Sequence, residues 1–185
     1  MVKGVIFDMD GLMFDTERLW DKMWEPACKA LGLPLPENLA AFSASCRGLA
    51  GDNLRSQVAK YIPGDPQRLL DKVWQMADER FAQGVPCKKG LKELLTALDD
   101  RGMPRIVASS SPRTMIEMNL QNTGTARYFH DVVSGTEVKH SKPAPDTFLL
   151  AAEKLHLDPK DCLVLEDSFN GVRAGRAAAW GTLPC

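Results

Sequence analysis

Two carboxylates end an apolar run near the amino terminus. Val5-Ile6-Phe7 leads into Asp8, Met9, Asp10 and Gly11, the pattern of a buried strand that stops at a turn. Residues two apart in an extended chain point to the same side, so Asp8 and Asp10 share one small volume if the strand reaches them. Two such charges ~4 Å apart repel by roughly 4 kcal/mol at an effective dielectric of ~20, a cost that a cation or a proton relieves. Three further junctions carry reactive groups: Ser109 after Arg105–Ala108, Lys142 before Pro143, and Glu166-Asp167 after Leu163-Val164-Leu165. Four carboxylates, a lysine, a serine and the free N–H groups of helix N-termini suit a hard cation together with a phosphate. Oxygen ligands without a dedicated cage point to Mg²⁺. With the metal and Lys142 neutralising charge, a carboxylate can attack phosphorus and form an aspartyl-phosphate. Phosphoryl transfer asks mainly for positioning and charge stabilisation, which these residues offer.

Such groups converge only if strands deliver them to one edge. After Asp15 the pattern turns helical: Asp15 or Thr16 can cap a helix through Trp20 and Trp24 towards Leu31, with Gly32 as its stop and Pro26 kinking or splitting it. Residues 37–46 and 51–62 read as helices, and Asp65-Pro66 opens a long amphipathic helix to about Gln83. No strand signal interrupts residues 16–84. Strand and helix then alternate: a helix over 90–101, the strand 105–108, a helix from Pro112, a strand near 129–133, a helix from Pro143 to His156, the strand 163–165 and a helix over 168–180. This order predicts an α/β fold, a Rossmann-like parallel sheet with helices on both faces and right-handed crossovers. The core comprises 1–15 and 85–185, and 16–84 form an inserted all-helical cap domain. In such sheets ligands bind at the carboxyl ends of the strands.

Composition narrows the partners. The 185 residues carry 44% apolar and 25% charged side chains, with a net charge of −1 from 23 basic and 24 acidic residues. That balance argues against nucleic acid or an anionic membrane as a partner. The chain has no apolar run of membrane-spanning length and enters a strand directly, which predicts a cytoplasmic protein. Its five scattered cysteines read as reduced thiols, and zinc is a poor fit.

Asp8-Met9-Asp10-Gly11, Ser109 after its strand, Lys142-Pro143, and Glu166-Asp167-Ser168 with Gly171 resemble the four motifs of the haloacid dehalogenase-like superfamily. The branch they resemble is that of the β-phosphoglucomutase-like phosphatases, over about residues 2–180. The resemblance implies Asp8 as nucleophile with one oxygen on Mg²⁺, and Asp10 as general acid and base, its backbone carbonyl also on the metal. It implies Ser109 and Lys142 as holders of the transferring phosphoryl group, Ser110 offering its backbone N–H, and Glu166 and Asp167 as metal ligands. Arg47-Gly48 resemble the cap loop that contacts substrate. Trp20 and Trp24 read as cap packing, with Trp20 lining the pocket as the other reading, and His130, His140 and His156 match no motif.

Two features depart from that pattern. The sequence reaches Trp180–Cys185 where the resembled branch continues with a further strand and helix, so the expectation is a core with a shortened C-terminal edge. Gly51 stands where mutases carry a basic residue for a distal phosphate, and Trp20 where they carry a histidine. The expectation is therefore a Mg²⁺-dependent phosphatase of a small phosphorylated metabolite, such as a sugar phosphate. A phosphosugar mutase and a non-catalytic binding relative are the alternatives. Oligomeric state is left open, with a monomer as the expectation.

Overall fold

The computed structural model describes residues 1–180. Four strands, β1 (Gly4–Phe7), β2 (Arg105–Ser109), β3 (Val132–Ser134) and β4 (Cys162–Leu165), form one parallel sheet in the order β3-β2-β1-β4. The register aligns Phe7 with both Val107 and Leu165. The next step along each strand therefore brings Asp8, Ala108 and Glu166 level at the carboxyl edge. Alternation along β1 divides the packing: Val5 and Phe7 join one apolar cluster, while Ile6 joins another with Ile106, Val133 and Phe148. Helices α6 (Leu91–Asp99), α7 (Arg113–Asn122), α8 (Asp146–Lys154) and α9 (Phe169–Trp180) complete this layered part. At the sheet edge β4 leaves Leu163 44% exposed. The expected departure at the carboxyl terminus falls on residues 181–185, outside the described residues.

Between β1 and α6 lie five helices and, within 16–84, no strand. They are α1 (Glu17–Asp21), α2 (Trp24–Leu31), α3 (Leu39–Cys46), α4 (Gly51–Ala59) and α5 (Pro66–Phe81). Trp24, Phe42, Val58, Leu69, Leu70 and Val73 bury a separate apolar cluster among them. Asn38 caps α3 through the Ala41 N–H, and Asp65 caps α5 through the Gln67 N–H.

The expected split of the first cap helix near Pro26 is present, and two other local expectations need correction. The first cap helix is broken between Asp21 and Trp24, ahead of Pro26, which occupies the first turn of α2, where its missing N–H costs nothing. Trp20 and Trp24 thus belong to different helices. Thr16 holds the N-cap position, but its buried hydroxyl makes no capping bond, and Asp15 pairs with Lys88 instead. Finally, Pro143 does not open a helix. Helix α8 begins at Asp146, so Lys142 sits in the preceding turn, where the Ser141 carbonyl accepts the Ala144 N–H.

Candidate active site

Lys142 is fully buried, and its ammonium group spends all three N–H donors at the sheet edge. They reach Asp8 Oδ1 at 2.6 Å, Glu166 Oε1 at 2.8 Å and the Ala108 carbonyl at 3.3 Å. These acceptors lie at the carboxyl ends of three adjacent strands, so strand register makes the Lys142 site. The Phe148 ring closes the cation's remaining side at 4.6 Å.

One buried cation thus faces two buried carboxylates. Burial pushes Asp8 up to about 8, against the pull of Lys142 and reinforced by Glu166 and Asp10. Excess negative charge of this kind is relieved by a proton or by a divalent ion. Asp8, Glu166 and Asp167 each offer a carboxylate oxygen within 4.8 Å of the others. An all-oxygen trio of this kind fits Mg²⁺. Glu166 is held from both ends, since its Oε2 accepts the Ser168 N–H at 2.6 Å. Gly171 makes room for it: a Cβ there would lie 1.6 Å from Glu166 Oε1. The Ser168 hydroxyl accepts the Gly171 N–H at the start of α9, tying the Glu166-Asp167-Ser168 turn to the helix.

Asp10 is fixed differently. Its Oδ1 accepts the Trp20 indole N–H at 3.2 Å, and its Oδ2 accepts the Ser109 and Ser111 hydroxyls at 3.1 and 2.7 Å. Ser109, fully buried, also accepts the Ser111 N–H, so its hydroxyl is committed to Asp10 and the turn. Ser110 and Ser111 line the cavity above. Ser111 was missed in the sequence, though its place two residues beyond Ser109 is a usable signal for the same side of the chain. Trp20 and Trp24 both line the cavity, and Trp24 also packs edge-on against Phe42 in the cap.

The cavity, of about 110 Å³, lies between the sheet edge and the helical layer and is lined by Asp8, Asp10 and Glu166 on one side and Trp20, Asp21 and Arg47 on the other. The Arg47-Gly48 loop seals its rim. Ser110 donates to the Gly48 carbonyl and Asn170 to the Arg47 carbonyl, each at 3.0 Å. Gly48 has φ +70° and no room for a Cβ, which would lie 2.6 Å from Ser168 Oγ. A second tie runs from α4 to the turn before the lysine. The Ser141 hydroxyl donates to the Ala50 carbonyl at 2.5 Å, and the Asn53 amide donates to the Ser141 carbonyl at 3.1 Å. Because Ser141 adjoins Lys142, Asn53→Ala is expected to lower kcat/KM about tenfold, as loss of a well-placed positioning contact does. Steady-state kinetics beside a melting curve checks this, and a loss of Tm without a loss of turnover would contradict it.

A family model described as haloacid dehalogenase-like hydrolase matches residues 2–179. The chain belongs to that family. Fructose-1-phosphate phosphatase YqaB of Escherichia coli is 32% identical over 177 residues, covering 95% of this chain and 92% of the relative. A hydrolase from Pseudomonas syringae superposes with a TM-score of 0.84 at 26% identity, over 97% of this chain and 82% of that one. The β-phosphoglucomutase of Clostridium difficile shares the fold at a TM-score of 0.80 and 20% identity, over 97% of this chain and 82% of that one. Within the family the chain falls in the β-phosphoglucomutase-like branch.

Proposed function

We propose that this haloacid dehalogenase-like hydrolase is a phosphatase that removes phosphate from a small phosphorylated metabolite through an Asp8-phosphate intermediate. The observation that carries the reading is the buried Lys142 ammonium bridging Asp8 and Glu166, with Asp10 lining the same cavity. Relatives named as phosphatases of fructose 1-phosphate and of hexitols support it.

Residues 1–15 and 85–185 act as the catalytic core and 16–84 as the cap. An Asp8 oxygen attacks phosphorus and the P–O bond to the substrate breaks. Asp10 gives its proton to the departing oxygen. Asp10 then takes a proton from water, which attacks the acyl phosphate, frees Asp8 and yields inorganic phosphate. Lys142 compensates charge at the nucleophile and the phosphoryl oxygens, assisted by the Ser110 backbone N–H. Asp8, Glu166 and Asp167, with the Asp10 carbonyl, would hold Mg²⁺, which supplies charge neutralisation at the reacting oxygens. Arg47 is the only cation among the described residues lining the cavity, and Asp21 pairs with it at 3.0 Å. That wall is poorly suited to a second phosphate, which favours hydrolysis over isomerisation.

Phosphate release from p-nitrophenyl phosphate tests the reading. Turnover is expected with Mg²⁺ and a loss of about a hundredfold or more with EDTA, since the metal contributes several kcal/mol of charge stabilisation. A folded protein inert under both conditions would leave the non-catalytic alternative standing.

A further inference from the structure

The end of the cavity away from Asp8 carries a second polar group of side chains. Asp21, the last residue of α1, accepts the Ser43 hydroxyl of α3 at 2.5 Å on Oδ1 and the Arg47 guanidinium at 3.0 Å on Oδ2. All three line the cavity that Asp8 and Asp10 line, and Trp20, Trp24 and Trp74 form much of the wall around them. Elsewhere that end is apolar, with Leu49, Leu54, Leu70 and Val73.

We infer that Asp21, supported by Ser43 and Arg47, is the group that selects the substrate, and that it reads neighbouring hydroxyls on an uncharged polyol carrying one phosphate. The inference rests on the phosphatase reading above and names the substrate class of that site. The chemistry discriminates among candidates. Asp21 and Arg47 are opposite charges in contact, so together they offer acceptors and donors without net charge. A hydroxyl both donates and accepts, so two adjacent ones can satisfy carboxylate and guanidinium together. An amine would satisfy Asp21 alone. A second phosphate would bring more negative charge to a cavity already lined by Asp8, Asp10, Asp21 and Glu166. The indole faces suit the C–H surface of a carbon chain between its hydroxyls.

The test compares a hexitol 1-phosphate with n-hexyl phosphate, alike in length and charge but not in hydroxyls, with p-nitrophenyl phosphate as the reference substrate and Mg²⁺ present. In the wild-type protein the hexitol ester is expected to exceed the hexyl ester in kcat/KM by about a hundredfold or more, because a site built around hydrogen bonds rejects the analogue that lacks them. In Asp21→Asn that ratio is expected to fall at least about tenfold. Equal kcat/KM for the two esters in the wild type overturns the inference whether or not the variant folds. A ratio within about twofold of wild type in a folded Asp21→Asn protein overturns it as well. Turnover of p-nitrophenyl phosphate without polyol preference sinks only the Asp21 assignment. No turnover of any of the three sinks the phosphatase reading, and the inference with it.

Discussion

Lys142→Met is expected to abolish measurable turnover and to destabilise the metal-free protein by about 3–5 kcal/mol, the usual result of removing one partner from a buried ion pair. The methionine fills the same tunnel beside Phe148 but leaves Asp8 and Glu166 facing each other with no cation between them. For a domain of this size each kcal/mol moves Tm by about 2–4 °C, so melts in EDTA are expected to drop by roughly 10 °C. The catalytic loss is expected at about a thousandfold, the effect of deleting one well-placed group that stabilises transition-state charge. Adding Glu166→Gln to Lys142→Met removes one uncompensated carboxylate and is expected to restore part of the Tm but no turnover. If the single variant melted like the wild type in EDTA, the buried network would not be the electrostatic centre of the core.

Much of that centre is legible in the sequence for a simple reason. An apolar strand ends abruptly, so Phe7-Asp8 and Leu165-Glu166 announce where the apolar run stops, and parallel register then makes such stops adjacent. The motif around Asp8, Lys142, Glu166 and Asp167 thus survives translation from chain to space, because each member is tied to a strand end or to the turn before a helix. Groups on the cap are a different matter. Asp21, Ser43 and Arg47 meet only because α1, α3 and the following loop pack together, and amphipathic periodicity marks the apolar side of such helices without saying which polar groups will touch. The Ser141–Asn53 tie spans 88 residues and depends on how the loop and α4 seat against the core. Helix punctuation is legible too: Pro26 can make no bond to the carbonyl four residues back, and the break falls at Lys22-Met23, which lets Trp20 turn to Asp10 and Trp24 to Phe42.

Asp8→Asn is expected to remove turnover by roughly 10⁴-fold or more, as loss of a covalent nucleophile does. It also isolates the electrostatics of the site. In the metal-free fold burial raises Asp8 from 3.8 to about 8. Between those two values the folded chain keeps a proton that the unfolded chain has released. Stability from this group is therefore full below the unfolded value and is lost as pH rises through the window towards the folded one. Asparagine cannot titrate, so the difference in Tm between wild type and Asp8→Asn in EDTA is expected to shift against the wild type by several degrees from about pH 5 to 8. Mg²⁺ should act with the opposite slope. Its ligation needs the ionised carboxylate, so its stabilisation of the wild type grows with pH and is weaker in the variant. Paired melts across that range, with and without Mg²⁺, measure both slopes. A wild-type-minus-variant difference that stayed level or rose with pH in EDTA would mean that Asp8 is ionised without a metal, with Lys142 alone holding the charge.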